Sequence, residues 1–290
     1  MQDHLLRVMA REEGVLLQLC ATTAMVKDAA RRHQTAPLAT VALGYALTGI
    51  TLLGGLLKVK QRVSMKIAGN GELRKIVVES DSYGRVRGYV AEPHVAGPLP
   101  VTDAAVAHAI GNQGVLTIVK DLRVKDLYQG MVPLESGEVD RELAMYLKRS
   151  EQVPSLVEMG IRTNGAGQVL AAGGLLAQML PGHDPKGLTV LAERLDDLPA
   201  LEQLLVDGEP LTATAAVLLR GMNYIMLEER PVHFQCSCSW ERSRLALLSL
   251  GEAEIQSLMA EGEAVVDCHF CHERYIFGPE ALQTILEELA

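Results

Sequence analysis

The chain has 290 residues, of which 48% are hydrophobic and 22% are charged, and its formal net charge is −9. This length and apolar content predict one large folded domain, or one large and one small domain. Residues 1–7 lack the charged start, apolar stretch and cleavage site of a signal peptide. Four of the five cysteines lie near the C-terminus. That distribution is unlike a disulfide-dense secreted scaffold, so we expect a reducing compartment.

The first predicted elements are helices. Thr22 and Thr23 predict the N-terminal cap of a helix that runs toward Arg32. Residues 36–57 contain no charged residue and are long enough to span a bilayer. Several glycines and threonines lower the hydrophobicity of this segment, and polar sequence follows it at once. The pattern therefore predicts a helix that is buried on all sides and does not cross a membrane.

A meander of three antiparallel strands follows, because Gly69-Asn-Gly71 and the turn at 81–84 separate apolar runs. The predicted strands are residues 63–68, 73–79 and 85–91. Residues 115–119 predict a further strand that is buried on both faces, and residues 140–149 predict a helix. Strands and helices do not alternate regularly, so the fold class indicated for residues 1–180 is α+β.

Residues 181–231 predict a helical connector between two domains. Its leucines recur at helical spacing on one face, which indicates packing against the first domain. These residues are Leu188, Leu191, Leu195, Leu201, Leu204 and Leu205. Residues 232–290 then form the predicted C-terminal module, with two short helices near 245–250 and 255–259 and strands near 265–266 and 275–277.

The cysteines of this module form two pairs, Cys236-Ser-Cys238 and Cys268-His-Phe-Cys271, with 29 residues between them. Two such pairs can close a tetrahedron of thiolates around one Zn²⁺ ion per chain. A lone CxxC would fit a redox site or a haem attachment equally well. Neighbouring histidines remain alternative ligands, namely His233, His269 and His272. The fifth cysteine, Cys20, is interpreted as a small buried apolar side chain.

Charge and missing motifs exclude several functions. Residues 233–290 contain ten Asp and Glu against three Lys and Arg, so this module would repel a phosphate backbone and we expect no nucleic-acid partner. The sequence contains no phosphate-binding loop, no complete dinucleotide fingerprint and no nucleophile elbow. We therefore expect no enzyme activity.

A series of short motifs, in order along almost the whole chain, resembles the redox-switched bacterial heat-shock chaperones of about thirty-three kilodaltons. The motifs are Arg31-Arg-His33, Ala42-Leu-Gly44, Gly69-Asn-Gly71, Val86-Arg-Gly-Tyr-Val90, Val119-Lys-Asp-Leu122, Val132-Pro-Leu-Glu-Ser-Gly-Glu138, Ser150-Glu-Gln-Val-Pro-Ser155, Ala172-Gly-Gly174, Phe234-Gln-Cys-Ser-Cys-Ser239 and Cys268-His-Phe-Cys271. Two small departures from the family pattern, at Arg123 and at Met145-Tyr146, lie outside the cysteine pairs.

The resemblance implies a cytoplasmic, ATP-independent holdase that is inactive when reduced and zinc-bound and active when oxidised. It implies that oxidation forms the disulfides Cys236–Cys238 and Cys268–Cys271 and ejects the metal. Its partners would be unfolded or partly folded client proteins, and it can form a homodimer when oxidised. Two other interpretations stay open from the residues alone. A structural zinc ribbon in an interaction protein would keep its fold through mild peroxide treatment, and a disulfide oxidoreductase would use Cys268 and Cys271 catalytically.

Overall fold

The structure is a computed structural model that describes residues 2–184 and 186–289. The chain divides into two compact units, Met1–Gln235 and Cys236–Ala290. Residues 181–231 thus belong to the same compact unit as the segment before them. The three-part division at residues 180 and 231 stays a prediction, because segments of one compact unit can still open independently.

The first unit contains two β-sheets. Its strands are β1 (His4–Ala10), β2 (Val15–Ala21), β3 (Arg62–Gly69), β4 (Lys75–Asp81), β5 (Arg85–Val90), β6 (Gly114–Asp121), β7 (Tyr128–Pro133), β8 (Ser155–Thr163), β9 (Val169–Met179), β10 (Tyr224–Pro231) and β11 (His233–Phe234). One sheet has the order β10-β1-β2-β9-β8 and is antiparallel throughout. The other has the order β11-β5-β4-β3-β6-β7, in which β11 alone is parallel to its neighbour. The mixed sheets and helices confirm the α+β class.

Helices complete the first unit, and one of them lies between the two sheets. They are α1 (Thr23–His33), α2 (Pro37–Gly54), α3 (Asp103–Ile110), α4 (Val139–Arg149), α5 (Lys186–Asp196), α6 (Leu201–Val206) and α7 (Leu211–Leu218). Helix α2 contacts β2, β8 and β9 of one sheet and β3, β4 and β5 of the other. It is apolar and long enough to cross a membrane, yet 94% of it is buried inside the protein. The predicted buried helix is therefore confirmed.

Hydroxyl groups make the burial of α2 possible. The Thr51 hydroxyl donates to the Leu47 carbonyl one turn earlier, at 2.7 Å, and the hydroxyls of Thr48 and Thr22 are 2.8 Å apart. A buried hydroxyl without such a partner would destabilise the fold, so these contacts allow threonines inside the core. Thr22 also precedes α1 as its N-cap residue, although its side chain makes no capping hydrogen bond.

Most of the other predicted elements are confirmed, and one prediction about burial is wrong. The meander is present as β3, β4 and β5, and the helix over 140–149 is α4. Strand β6 is buried on one face only, because Leu116 and Ile118 point into the core while Val115 is 39% exposed. An apolar run does not distinguish a strand covered on both faces from one whose outer face meets solvent. Strands β1 and β2, which form the centre of the first sheet, were not predicted.

The connector is helical, as predicted, but it ends in a strand. Helices α5, α6 and α7 place Leu191 and Leu201 in a cluster with β1, β2 and β9, where they are 1% and 7% exposed. The other predicted leucines pack against this cluster in partly buried positions, namely Leu188, Leu195, Leu204 and Leu205. The chain then forms β10, an edge strand beside β1. This strand was not anticipated, because its residues carry no clear alternation of apolar and polar side chains.

The second unit contains α8 (Trp240–Leu248), α9 (Glu252–Glu261), β12 (Ala264–Asp267), β13 (Arg274–Phe277) and α10 (Pro279–Leu289). Strands β12 and β13 form an antiparallel hairpin. The predicted pair of helices and pair of strands are confirmed, whereas α10 was not predicted. The core is small, and its buried apolar residues are Leu247, Ile255, Ala264, Phe277, Leu282 and Ile285. The Trp240 ring stacks on Phe277 with centroids 4.9 Å apart.

Candidate metal centre

The first cysteine pair lies in the loop just before α8. Ser239 is the N-cap of that helix, and its hydroxyl accepts a hydrogen bond from the Arg242 N–H at 3.2 Å. The Arg242 guanidinium reaches back and donates to the carbonyl of Ser237 at 2.8 Å and to its hydroxyl at 2.7 Å. Because Ser237 is the residue between the two cysteines, these bonds hold the short loop in one conformation.

The second pair lies in the turn of the β12–β13 hairpin. The N–H of His272 donates to the Cys268 carbonyl at 2.8 Å, and His272 takes a left-handed conformation with φ of 56°. The Cys268 N–H donates to the Glu273 carbonyl at 2.9 Å, which closes the hairpin below the turn. Below that bond, Asp267 and Arg274 face each other across the strands and form an ion pair at 2.8 Å. These hydrogen bonds and the ion pair therefore fix the backbone of the turn that carries both cysteines.

The two pairs meet, and their four sulfurs lie within 4.8 Å of one another. The sulfurs of Cys236 and Cys268 are 3.7 Å apart, and those of Cys238 and Cys271 are 3.3 Å apart. A zinc ion with Zn–S bonds of about 2.3 Å would hold four sulfurs about 3.8 Å from one another in a tetrahedron. All four cysteines are free thiols. The donor set and spacing therefore fit one tetrahedral, thiolate-preferring ion.

The surroundings of the thiols also favour a cation. Burial is the main cause that raises the pKa of Cys268, and the neighbouring Cys236 raises it further. Burial likewise raises the pKa of Cys271 well above its ordinary value. Four thiolates this close together repel one another, and a divalent cation offsets that repulsion. The N–H groups of Phe270 and Glu273 lower the pKa of Cys268 and Cys271, respectively, by hydrogen bonds to their sulfurs.

The three histidines that were alternative ligands are not part of this cluster. His233 belongs to β11 of the first unit, where its ring contacts the Gln235 side-chain carbonyl oxygen at 2.8 Å. Within residues 2–184 and 186–289, the group of side chains close enough to hold a metal ion at this site consists of the four cysteines and does not include His269 or His272. Cys20 is 1% exposed in β2 and lies beneath the connector residues Leu201, Leu204 and Leu205. Its interpretation as a small buried apolar side chain is confirmed.

Two side chains that support the centre were missed from the sequence. Tyr275 donates its phenol hydrogen bond to the Cys238 sulfur at 3.2 Å, and Arg242 holds the Ser237 loop. The bond to Cys238 raises the pKa of Tyr275. A tyrosine two residues before the buried Phe277 shares its face of a strand, and that alternation was the available signal. Nothing in the spacing of Arg242 from Ser237 indicated its contact.

Comparisons with known proteins agree over the whole chain. The family model described as Hsp33 protein matches residues 3–278. The 33 kDa chaperonin of Geobacter sp. (strain M21) is 41% identical over 291 residues, covering 100% of this chain and 99% of that protein. The 33 kDa chaperonin of Geobacillus sp. (strain WCH70) is 40% identical, with the same coverage. A crystal structure of the 33 kDa chaperonin (heat shock protein 33 homolog) of Thermotoga maritima has a TM-score of 0.89 and 32% identity, covering 99% of each chain. The chain belongs to the Hsp33 family of chaperones.

Proposed function

We propose that this protein is a redox-regulated, ATP-independent holdase of the cytoplasm. It is inactive when reduced and zinc-bound, and oxidation activates it to protect unfolding proteins from aggregation. The observation that carries the proposal is the cluster of four cysteine sulfurs, within 4.8 Å of one another, in a unit with only a small buried core. Membership of the Hsp33 family supports the chaperone role, and no nucleotide is required because the sequence has no phosphate-binding loop.

The proposed ligands of one Zn²⁺ ion per chain are Cys236, Cys238, Cys268 and Cys271. Zinc would hold these four side chains as thiolates, which are the form that oxidants attack. Metal binding contributes on the order of 10 kcal/mol to the folding of small zinc domains. The six buried apolar side chains of the second unit cannot replace a contribution of that size. The fold of this unit therefore depends on the redox state of its cysteines.

Oxidation of the four thiolates to two disulfides consumes two molecules of hydrogen peroxide, one for each disulfide. The first peroxide molecule accepts two electrons from one pair of thiolates, which become a disulfide, and it takes up two protons to give two water molecules. A second peroxide molecule oxidises the other pair in the same way. By family resemblance, the products are Cys236–Cys238 and Cys268–Cys271. Their loops enclose one and two residues, so these disulfides constrain the unfolded chain far less than long-loop disulfides do. The oxidised unit keeps neither metal ligands nor an effective crosslink, and it unfolds.

The connector is the proposed source of client-binding surface. Its leucines pack on β1, β2 and β9, and Leu188, Leu195, Leu204 and Leu205 are only partly buried there. Segments with few buried contacts open at a lower free energy than the core does. When the second unit unfolds, the connector loosens and uncovers its apolar face together with the sheet beneath it. Unfolded or partly folded clients bind such surfaces, and a homodimer can form in the oxidised state.

Two alternatives are less well supported. A disulfide oxidoreductase places the first cysteine of CxxC at the start of a helix, where the helix dipole lowers its pKa. Here, Cys268 and Cys271 lie in a hairpin turn, and burial raises the pKa of both. A nucleic-acid-binding protein is opposed by the ten acidic and three basic residues of segment 233–290.

The decisive experiment measures zinc content and aggregation suppression on one sample, before and after peroxide at mild heat and without ATP. We expect one zinc per reduced chain, loss of zinc on oxidation, and suppression of client aggregation only afterwards. A zinc-bound protein that keeps its metal and stays inactive in peroxide would support the structural zinc ribbon. A purified chain that suppresses aggregation only while hydrolysing ATP would contradict the holdase mechanism.

A chain truncated after Gln235 tests the connector part of the proposal. This end point keeps Val232 and Phe234, which are 4% and 9% exposed within the first unit. The truncated chain should stay folded, bind a hydrophobic dye more strongly than the reduced full chain, and suppress aggregation without oxidant. A folded truncated chain that is inactive would assign client binding to the oxidised second unit.

A further inference from the structure

The hydroxyl of Tyr275 contacts a cysteine of the centre directly, and its position is set by the fold. Strand β13 alternates, so Tyr275 lies on the same face as Phe277, which is 0% exposed, while Arg274 and Ile276 point outward. Tyr275 pairs with Val266 across the hairpin and packs against the core of the second unit. These contacts fix the position of the ring, and its hydroxyl lies 3.2 Å from the Cys238 sulfur.

The sulfur is held as firmly as the hydroxyl. Arg242 binds the carbonyl and the hydroxyl of Ser237, the residue next to Cys238. Ser239, on the other side of Cys238, caps α8. The Tyr275–Cys238 hydrogen bond therefore joins two groups whose positions are already fixed. Its formation costs less conformational entropy than a bond between two mobile side chains would.

Cys238 differs from the two cysteines of the CxxC turn in the kind of group that donates a hydrogen bond to its sulfur. In the CxxC turn, the backbone N–H groups of Phe270 and Glu273 donate to Cys268 and Cys271. Those donors are backbone groups of the turn, so a side-chain substitution does not remove them. At Cys238 the donor is the Tyr275 side chain, which can be removed by deleting one oxygen. A side chain outside the cysteine motifs therefore supplies a hydrogen bond to the Cys238 sulfur.

We propose that Tyr275 is a positioning residue of the redox switch, whose hydrogen bond to Cys238 slows the attack of that sulfur on an oxidant. This inference rests on the proposed function. A hydrogen bond to a thiolate stabilises its charge and makes its electrons less available. In the step concerned, the Cys238 thiolate attacks hydrogen peroxide, an S–O bond forms, the O–O bond breaks, and hydroxide leaves. The Cys236 thiolate then displaces a second hydroxide from sulfur, which forms the disulfide.

The test compares the full-length reduced protein with Tyr275→Phe, which keeps the ring and removes the donor. Zinc content is measured first, and peroxide oxidation is then followed at each cysteine by mass spectrometry at one pH. We expect both proteins to hold one zinc. Cys238 should react about fivefold faster in the variant, the factor that one hydrogen bond of average strength represents. Cys268 should keep its initial rate. Tyr224→Phe, in β10 of the first unit, is the matched control.

The ratio of the Cys238 rate to the Cys268 rate separates positioning from a purely structural role. Equal ratios in the wild-type and variant proteins would overturn the inference, even if the switch itself works. A uniform rise at all four cysteines, with loss of amide-exchange protection across the second unit, would also overturn it, because Tyr275 would then only support the fold. A wild-type chain that binds no zinc when reduced would instead contradict the proposed function, and this inference with it.

Discussion

The two units of this protein are stabilised in different ways. The first unit is built around α2, whose residues 38–54 are all buried, and two sheets supply further apolar side chains around it. The core cluster of the second unit contains six buried apolar side chains, and the unit brings four cysteine sulfurs within 4.8 Å of one another. Apolar burial does not respond to oxidants, whereas a thiolate cluster does. Under the proposed function, confining the cysteine cluster to the smaller unit would let an oxidant unfold that unit while the first unit stays folded.

Removing the ligands should give the largest difference between the units. In Cys268→Ser with Cys271→Ser, we expect no bound zinc and an unfolded second unit, because a contribution on the order of 10 kcal/mol is lost. Amide exchange should show loss of protection after residue 235 and retention of protection in the sheets of the first unit. Cys20→Ala is the control and should keep its zinc, since Cys20 lies in β2. A double variant that retains zinc would contradict the ligand assignment.

Matched cavities in the two cores should have different consequences for metal binding. Leu282→Ala in the second unit and Leu47→Ala in the first each remove a side chain that is 0% exposed. Each should lower the free energy of unfolding of its own unit by about 3 kcal/mol. The proposed function couples folding of the second unit to metal binding, so Leu282→Ala should weaken zinc affinity roughly a hundredfold. Competition with a chelator measures this. A comparable loss of affinity in Leu47→Ala would show that the units are not independent.

Weakening the attachment of β10 should have a smaller effect on stability, and this effect should be confined to the first unit. The Arg230 guanidinium donates to the carbonyl of Ser82 and, at 3.0 Å, to the carbonyl of Gly54 at the end of α2. Arg230→Met leaves both carbonyls without this donor and should destabilise the docked connector by about 2 kcal/mol. Alkylation of Cys20, which lies beneath connector leucines, should then proceed roughly thirtyfold faster in the reduced protein.

Arg220→Met is the control for this experiment, since Arg220 is exposed just after α7. It should leave the alkylation rate of Cys20 unchanged. If Arg230→Met also leaves that rate unchanged, β10 does not hold the connector in place, and the anchor must lie in the leucine cluster.

The smallest effect concerns pH and the carboxylates near Glu158. Burial, followed by the charges of Asp140, Glu202, Asp103 and Asp196, raises the pKa of Glu158 to about 7. The folded protein then keeps a proton that the unfolded chain releases, so this stabilisation is present below pH 4.5, the ordinary pKa of Glu, and is lost as pH rises to about 7. Glu158→Gln should therefore raise the melting temperature more at pH 8 than at pH 5.

The protein desolvates Glu158 only in part, since the residue is still exposed to solvent, and solvent screens the neighbouring charges; the gain should therefore be a few degrees at most. High salt should reduce the difference between the two proteins at pH 8. A gain that is the same at both pH values would mean that Glu158 titrates normally in the folded protein.

Several features were readable from the sequence because they depend on local pattern. The charge-free run in α2 indicated a buried helix, and the spaced leucines of the connector indicated its apolar face. The turn at Gly69-Asn-Gly71 indicated the meander. Features that depend on distant partners were not readable. Exposure of the outer face of β6 depends on which elements pack against the sheet, and short sequence patterns do not encode that. Likewise, β10 is a strand because it pairs with β1, which is more than 200 residues away in the sequence.

For the candidate metal centre, the sequence by itself indicated the proposed donor set. Two close pairs of cysteines, in a chain with one other cysteine, imply a thiolate site wherever the chain folds, because ligand chemistry depends on residue type and short spacing. Only the tertiary structure decided which side chains contact those sulfurs. Tyr275 reaches Cys238 across 37 positions of sequence, and the contact exists because strand alternation and the hairpin place the hydroxyl there. Spacing along a chain carries no information about such a distance in space.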